Sequence, residues 1–117
     1  MEPHVPEQPF AEVSSGEIRI RLALVPEFSR DNSYLVIYVA NVIAIHLTGD
    51  DYRAFTNICT HAGCGITLFL EGRFRCQCHG SEYDVVGSNV AGPAPLPLKR
   101  YQVTVDSITA TVTIDLR

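Results

Sequence analysis

The sequence predicts an all-β protein: an antiparallel β base made from both ends of the chain, with a small subdomain inserted between them. Three observations predict it. Apolar residues recur with a period of two and are rich in β-branched types. No stretch combines helical spacing with a capping signal over three turns. Between residues 57 and 98 the long apolar alternation gives way to Cys, His, Gly and Pro.

In chain order, Ile18, Ile20, Leu22 and Leu24 alternate with Arg19, Arg21 and Ala23, which marks a strand over residues 18–24 with one buried face. Residues 35–39 and 42–47 are two further apolar runs. Thr48-Gly49-Asp50-Asp51 is a turn signal and the chain returns through residues 52–57, so a hairpin is expected there. Residues 101–105 and 108–114 are expected as a last pair of strands around Asp106-Ser107.

At 117 residues the chain fits one domain, 1–117, with a real core. Within it, about residues 1–15 are expected as an extended N-terminal segment and about 58–97 as the inserted subdomain. A formal charge of −4 argues against a nucleic-acid partner, which needs clustered Lys and Arg on the protein. No secretory signal opens the chain. Its longest apolar stretch, residues 34–45, is too short to span a bilayer and is interrupted by Asn41, so the chain as given reads as soluble. Residues 2–9 hold three prolines among polar residues, a composition suited to an extended linker. That segment reads either as a frayed terminus or as the stump of a membrane tether.

The chemistry concentrates in two short runs, Cys59-Thr60-His61-Ala62-Gly63-Cys64 and Cys76-Gln77-Cys78-His79-Gly80-Ser81-Glu82-Tyr83-Asp84. Four cysteines in a chain of this size permit two disulfides, a zinc site or a redox centre. Each run offers a Cys/His pair plus one more cysteine, and short Cys/His loops can place two ligands on one metal without a long secondary element. Gly63 and Gly80 supply the positive φ angles such loops often need. A segment so poor in long apolar strands should owe its order to a metal or a disulfide.

These residues resemble the Rieske 2Fe–2S family, in particular its disulfide-containing branch found in cytochrome bc-type complexes. The resemblance covers residues of about 53–101 and extends to the flanking strands only in general character. It implies a Rieske-like fold and a 2Fe–2S cluster, with Cys59 and Cys76 on one iron and His61 and His79 on the other. It implies a disulfide between Cys64 and Cys78. It implies that the hydroxyls of Ser81 and Tyr83 donate to a bridging sulfide and to a ligand cysteine sulfur, favouring the reduced state. Gly92-Pro93-Ala94-Pro95 resembles the proline-rich loop that covers the cluster, a stiff wall because proline fixes φ. Replacing two thiolates by neutral imidazoles makes the centre less negative and easier to reduce, and each imidazole keeps a second ring nitrogen able to exchange a proton. Two departures stand out: Ala62 where bc-complex members carry a larger apolar residue, and Gln77 between the two cysteines where proline is common.

The resemblance implies one-electron transfer, high in potential and coupled to a proton, within a quinol-oxidising bc-type or related complex. Redox partners would be a cytochrome or an oxidoreductase subunit, with quinol as donor. The alternative is a soluble Rieske ferredoxin serving an oxygenase or another redox enzyme, toward which Ala62 points. A structural zinc module is the reading from another class; it explains four ligands but not Cys64, Cys78, Ser81 or Tyr83. The disulfide points to the periplasmic or another extracytoplasmic side of a membrane, because such bonds are rare in reducing cytosol. His46, flanked by Ile45 and Leu47, reads as a hydrogen-bonded or edge histidine, and His4 lies in the linker.

Overall fold

Alternation of apolar and polar side chains folds here as antiparallel strands. The computed structural model describes residues 7–60, 63–78 and 80–117. Among them the strands are β1 (Ala11–Ser14), β2 (Glu17–Arg21), β3 (Ser33–Ile37), β4 (Val42–His46), β5 (Tyr52–Thr56), β6 (Phe69–Leu70), β7 (Arg73–Arg75), β8 (Glu82–Tyr83), β9 (Asn89–Ala91), β10 (Arg100–Asp106) and β11 (Thr111–Asp115). One sheet runs β1-β2-β11-β10-β5-β4-β3 and a second runs β6-β7-β8-β9. β5 pairs directly with β10, through Arg100↔Phe55 and Tyr101↔Ala54, so the smaller sheet lies in an insertion between two neighbouring strands of the larger one. The expected hairpin is present, with His46 opposite Tyr52 and Val42 opposite Thr56.

The larger sheet encloses a core of Ile18, Ile20, Ile37, Val42, Ala44, Ala54, Val112 and Ile114, plugged by Val25 and Phe28. Its two edges, β1 and β3, are drawn together by one side chain. The Gln8 carboxamide donates to the Val36 carbonyl (2.7 Å) and accepts from the Tyr38 N–H (3.1 Å), while the Gln8 carbonyl accepts from the Ala11 N–H just ahead of β1. The sheet therefore rolls toward a barrel whose seam is a side chain rather than a ladder.

β4 is buried along its whole length. Val42 and Ala44 face the enclosed core, while Ile43 and Ile45 face outward onto the smaller sheet, with Val36 and Phe55 beside them. The continuous apolar run of residues 42–47 is the sequence trace of a strand covered on both faces. Phe55 meets Phe74 edge to face at 5.0 Å, and Phe74 meets Phe69 at 4.9 Å, so aromatic packing fastens the insertion to the base. The insertion thus has an apolar core of its own contributors, Ile66, Phe69, Phe74 and Tyr83, which its strand-poor sequence concealed.

Three sequence expectations are corrected. The strand expected over residues 18–24 ends at Arg21, and Leu22–Leu24 and Pro26–Ser29 are 3-10 turns; Pro26 has no N–H for a ladder and starts the second of them. The run expected over 35–39 is displaced, with Tyr38–Ala40 a 3-10 turn closed by left-handed Asn41. Ile108 belongs to no strand and is 95% exposed, because residues 107–110 make the turn before β11. Within the N-terminal segment of about 1–15, Ala11–Ser14 is extended as β1 and pairs with β2 in register.

His46 is buried and stacked on Tyr52 at 4.0 Å, with Nδ1 2.9 Å from the Phe28 carbonyl oxygen and Nε2 2.8 Å from that of Gly49. It pins the hairpin turn to the Pro26–Ser29 turn, as the hydrogen-bonded reading expected. His4 lies outside the described residues.

Removing the seam should loosen the barrel without unfolding it. Gln8→Ala deletes two partly exposed hydrogen bonds, each worth about 0.5–1.5 kcal/mol net. Denaturant titration should show a loss of about 1–2 kcal/mol, and hydrogen exchange should accelerate at the Tyr38 amide. Unchanged exchange there would mean that the seam is held by something else.

Candidate metal centre

The two Cys/His runs fold into loops with the same backbone closure. In the first, the Gly63 N–H donates to the Cys59 carbonyl (3.1 Å) and the Cys59 N–H to the Cys64 carbonyl (2.8 Å). In the second, the Gly80 N–H donates to the Cys76 carbonyl (3.0 Å) and the Cys76 N–H to the Ser81 carbonyl (2.8 Å). Gly63 and Gly80 take φ of 71° and 75°, the left-handed turn expected of them. Each loop thereby presents its first cysteine from a rigid, backbone-satisfied turn at the edge of the smaller sheet.

Cys59 and Cys76, the expected thiolate ligands, are 3% and 0% exposed. Cys64 and Cys78 form the disulfide that the resemblance implied, with Cα atoms 6.5 Å apart. The Sγ atoms of Cys64, Cys76 and Cys78 lie within 4.8 Å of one another. That proximity is not a ligand set, because two of the three sulfurs are bonded to each other. It shows instead that the disulfide clasps the loops immediately beside Cys76. The expected imidazole ligands His61 and His79, and Ala62, lie outside the described residues. Gln77 is exposed on the rim of the second loop.

The two predicted tuning hydroxyls are fully buried. Tyr83 Oη stands 3.5 Å from Cys59 Sγ, a ligand-cysteine sulfur as the resemblance implied. Burial, reinforced by the bond to Cys59, pushes the Tyr83 hydroxyl above the usual phenol range, so it stays protonated as a donor. Ser81 Oγ accepts the Ala94 N–H at 3.1 Å, which leaves its own proton to donate.

The proline-rich segment closes the site from above and bonds to both loops. Ala94 reaches Ser81 of the second loop, and the Leu96 carbonyl accepts from the Thr60 hydroxyl of the first at 2.7 Å. Asn89 steadies the segment by donating to the Ala94 carbonyl. Gly92, at φ +81°, is pressed so closely onto the second loop that a Cβ there would meet Ser81 Cα at 2.6 Å. Two buried sulfurs, one on each loop, with two buried hydroxyls and a close cover, fit the thiolate half of a 2Fe–2S donor set. Sequence reasoning missed Thr60, whose hydroxyl joins cover, loop and tyrosine; its only signal was a hydroxyl-bearing residue between two ligand types. It also missed that Gly92 is required by the close approach.

Gly92→Ala should unseat the cover. The left-handed conformation alone costs a non-glycine residue about 1–2 kcal/mol, and the contact with Ser81 adds to it. Thermal denaturation should show a lower midpoint, and iron release to a chelator should be faster than in the wild type. Wild-type values in both would show that the cover is not needed to close the site.

The chain matches the Rieske [2Fe-2S] domain family over residues 14–102. It is 40% identical over 83 residues to the cytochrome b6-f complex iron-sulfur subunit of Synechococcus elongatus, covering 70% of this chain and 42% of that protein. The chain thus spans less than half the length of that curated relative. The solved cyanobacterial plasma membrane Rieske protein PetC3 from Synechocystis PCC 6803 aligns with a TM-score of 0.56 at 28% identity, over 63% of this chain and 75% of that one. The ferredoxin of carbazole 1,9a-dioxygenase from Nocardioides aromaticivorans IC177 gives a TM-score of 0.59 at 23% identity over 75% of this chain and 88% of that one, a likeness of fold alone. Fold, disulfide and paired loops agree with these similarities, and the family's cofactor is a Rieske-type 2Fe–2S cluster. The chain belongs to the Rieske [2Fe-2S] domain family.

Proposed function

We propose that this chain is the electron-carrying domain of a quinol-oxidising complex, with Cys59, His61, Cys76 and His79 holding a 2Fe–2S cluster. When bound, that cluster supplies a one-electron couple. The protein supplies the cage: two rigid loops clasped by Cys64–Cys78, a cover that excludes water, and hydroxyls that stabilise added negative charge. The observation that carries the reading is the Tyr83 hydroxyl on Cys59 Sγ inside a fully buried pocket. Such a bond strengthens as the sulfur gains charge, which raises the potential. Similarity to cytochrome b6-f iron-sulfur subunits favours this setting over a soluble ferredoxin.

Residues of about 58–97 are read as the cluster-binding subdomain, and the larger sheet as its base. A cytochrome or another redox subunit is the electron acceptor in this reading, with quinol as donor. The disulfide favours an extracytoplasmic side of the membrane. Among the described residues no helix is long and apolar enough to cross a membrane. In this reading membrane contact belongs to a tether or a partner subunit.

The loaded chain should be red-brown, with a rhombic EPR signal on reduction and a potential within about −150 to +300 mV. A colourless zinc protein would overturn the proposal. His61→Ala or His79→Ala should abolish assembly; full iron content and a native EPR spectrum in either variant would remove that residue from the ligand set.

The potential should be flat at neutral pH and fall as pH rises through the alkaline range. Metal charge draws protons off attached imidazoles more strongly in the oxidised state, so above that state's pKa reduction takes up a proton. Protein-film voltammetry checks this, and a level potential in folded protein up to strongly alkaline pH would count against two histidine ligands.

Ser81→Ala and Tyr83→Phe should each lower the potential with the cluster intact. A bond to a charged acceptor is worth roughly 1.5–3 kcal/mol, and about 1.4 kcal/mol corresponds to roughly 59 mV for one electron. The ceiling is thus about 60–130 mV, and the shift should be smaller, because the oxidised site also accepts the Ser81 bond and the Tyr83 hydroxyl has a second acceptor in Thr60. An unchanged or raised potential in both variants would contradict the role of the hydroxyls.

A further inference from the structure

The Tyr83 hydroxyl has more acceptors within reach than it has protons. Its oxygen accepts the Thr60 N–H at 3.2 Å and stands 3.0 Å from Thr60 Oγ1 and 3.5 Å from Cys59 Sγ. The Thr60 hydroxyl has already placed its own proton, donating to the Leu96 carbonyl at 2.7 Å. A hydroxyl oxygen that has given its one proton can only accept. The bond between the two hydroxyls therefore runs from Tyr83 to Thr60, and Thr60 Oγ1 and Cys59 Sγ compete for a single phenolic proton.

Distance and charge set the outcome of that competition. The 3.0 Å contact to Thr60 lies at the edge of the ordinary O–H···O range, and oxygen is the better neutral acceptor. An ionised acceptor roughly doubles the strength of a hydrogen bond. Cys59 Sγ therefore gains on Thr60 Oγ1 as negative charge accumulates on the sulfur, and the tyrosine need only rotate its O–H to follow. Tyr83 is fully buried, so solvent does not bond its hydroxyl, and Thr60 is half-buried.

We propose that Thr60 is a positioning residue that withholds the Tyr83 proton from Cys59 in the oxidised protein and yields it on reduction. This rests on the reading of the site as a Rieske centre and deepens it. Thr60 opposes Tyr83: giving up the Tyr83–Thr60 bond costs the reduced state part of what the Tyr83–Cys59 bond gains. The same hydroxyl holds the cover through Leu96, so the cover and the tuning tyrosine share one anchor.

The test is a set of potentials on cluster-loaded protein. Thr60→Val keeps the side chain's shape and removes the competing acceptor. It should shift the potential upward, opposite in sign to Tyr83→Phe, and the shift should vanish in the Tyr83→Phe background. Thr60→Ser should keep the wild-type potential. A downward or absent shift in Thr60→Val, an equal shift without the tyrosine hydroxyl, or a serine variant that behaves like valine would each overturn the proposal.

A second measurement needs no variant, should valine compromise loading. Resonance Raman of the wild type in water and heavy water should show larger isotope shifts of the iron–cysteine stretches in the reduced state than in the oxidised state. Equal shifts in both states would overturn the switch. Absence of iron–cysteine stretches would instead refute the Rieske reading itself, so the two failures are distinguishable.

Discussion

Two loops must face each other at the edge of a small sheet, and the clasp between them is the Cys64–Cys78 disulfide. Each loop is internally rigid because its first cysteine's N–H and carbonyl are both bonded within the turn. Rigid loops still need a fixed separation, and strands of two or three residues carry too few ladder bonds to impose one. A native disulfide in a small domain is worth about 2–5 kcal/mol. Here it acts where the strands are shortest, beside the buried thiol of Cys76. The cover then spans the same gap a second time, bonded to Ser81 on one loop and Thr60 on the other.

The base serves the site through β4 and β5. Because Ile43, Ile45 and Phe55 project onto the insertion while Val42, Ala44 and Ala54 face the enclosed core, the same strands belong to both layers. A buried isoleucine contributes about 1.5–3 kcal/mol, so the smaller sheet draws its stability from strands it does not contain. Arg53 adds a polar tie. Held in place by both carboxylate oxygens of Asp51, it donates to the Val85 carbonyl at 2.7 Å. The insertion is thus gripped on its apolar face by the base, on its loops by the disulfide and above by the cover.

Much of this was legible in the sequence, and the rest was hidden for physical reasons. Period-two alternation located β2, β10 and β11, because one residue type per face is what a half-buried strand requires, while a continuous apolar run marked the doubly covered β4 and the turn signal after it marked β5. It overran at Leu22 and Leu24, where apolar residues continue to alternate but Pro26 breaks the ladder. It was blind to β1, whose residues are mostly exposed and which is held by pairing rather than by burial. In the site, Cys59, Cys64, Cys76 and Cys78 were legible from spacing and resemblance, and Ser81 and Tyr83 from resemblance. Gly92 and Thr60 were not, because their importance comes from contacts with segments distant in sequence: a 2.6 Å approach to Ser81, and a bond to Leu96 thirty-six positions away.

The two hydroxyls, alike in chemistry, are wired differently, and that difference follows from which groups occupy their lone pairs. Ser81 Oγ is supplied by a backbone N–H of the cover, a donor that leaves the serine proton unclaimed by that contact. Tyr83 Oη is likewise supplied by a backbone N–H, from Thr60, but the same residue also presents an oxygen that competes for the tyrosine proton. A hydroxyl whose proton has no rival gives the same bond in both oxidation states, differing only in strength. A hydroxyl with a rival can change partner, and its contribution then depends on the gap between two acceptors rather than on one. The cover enters both circuits, as donor to Ser81 through Ala94 and as acceptor from Thr60 through Leu96. Any displacement of that loop is therefore felt at both hydroxyls, which ties the shape of the cover to the potential of the site beneath it.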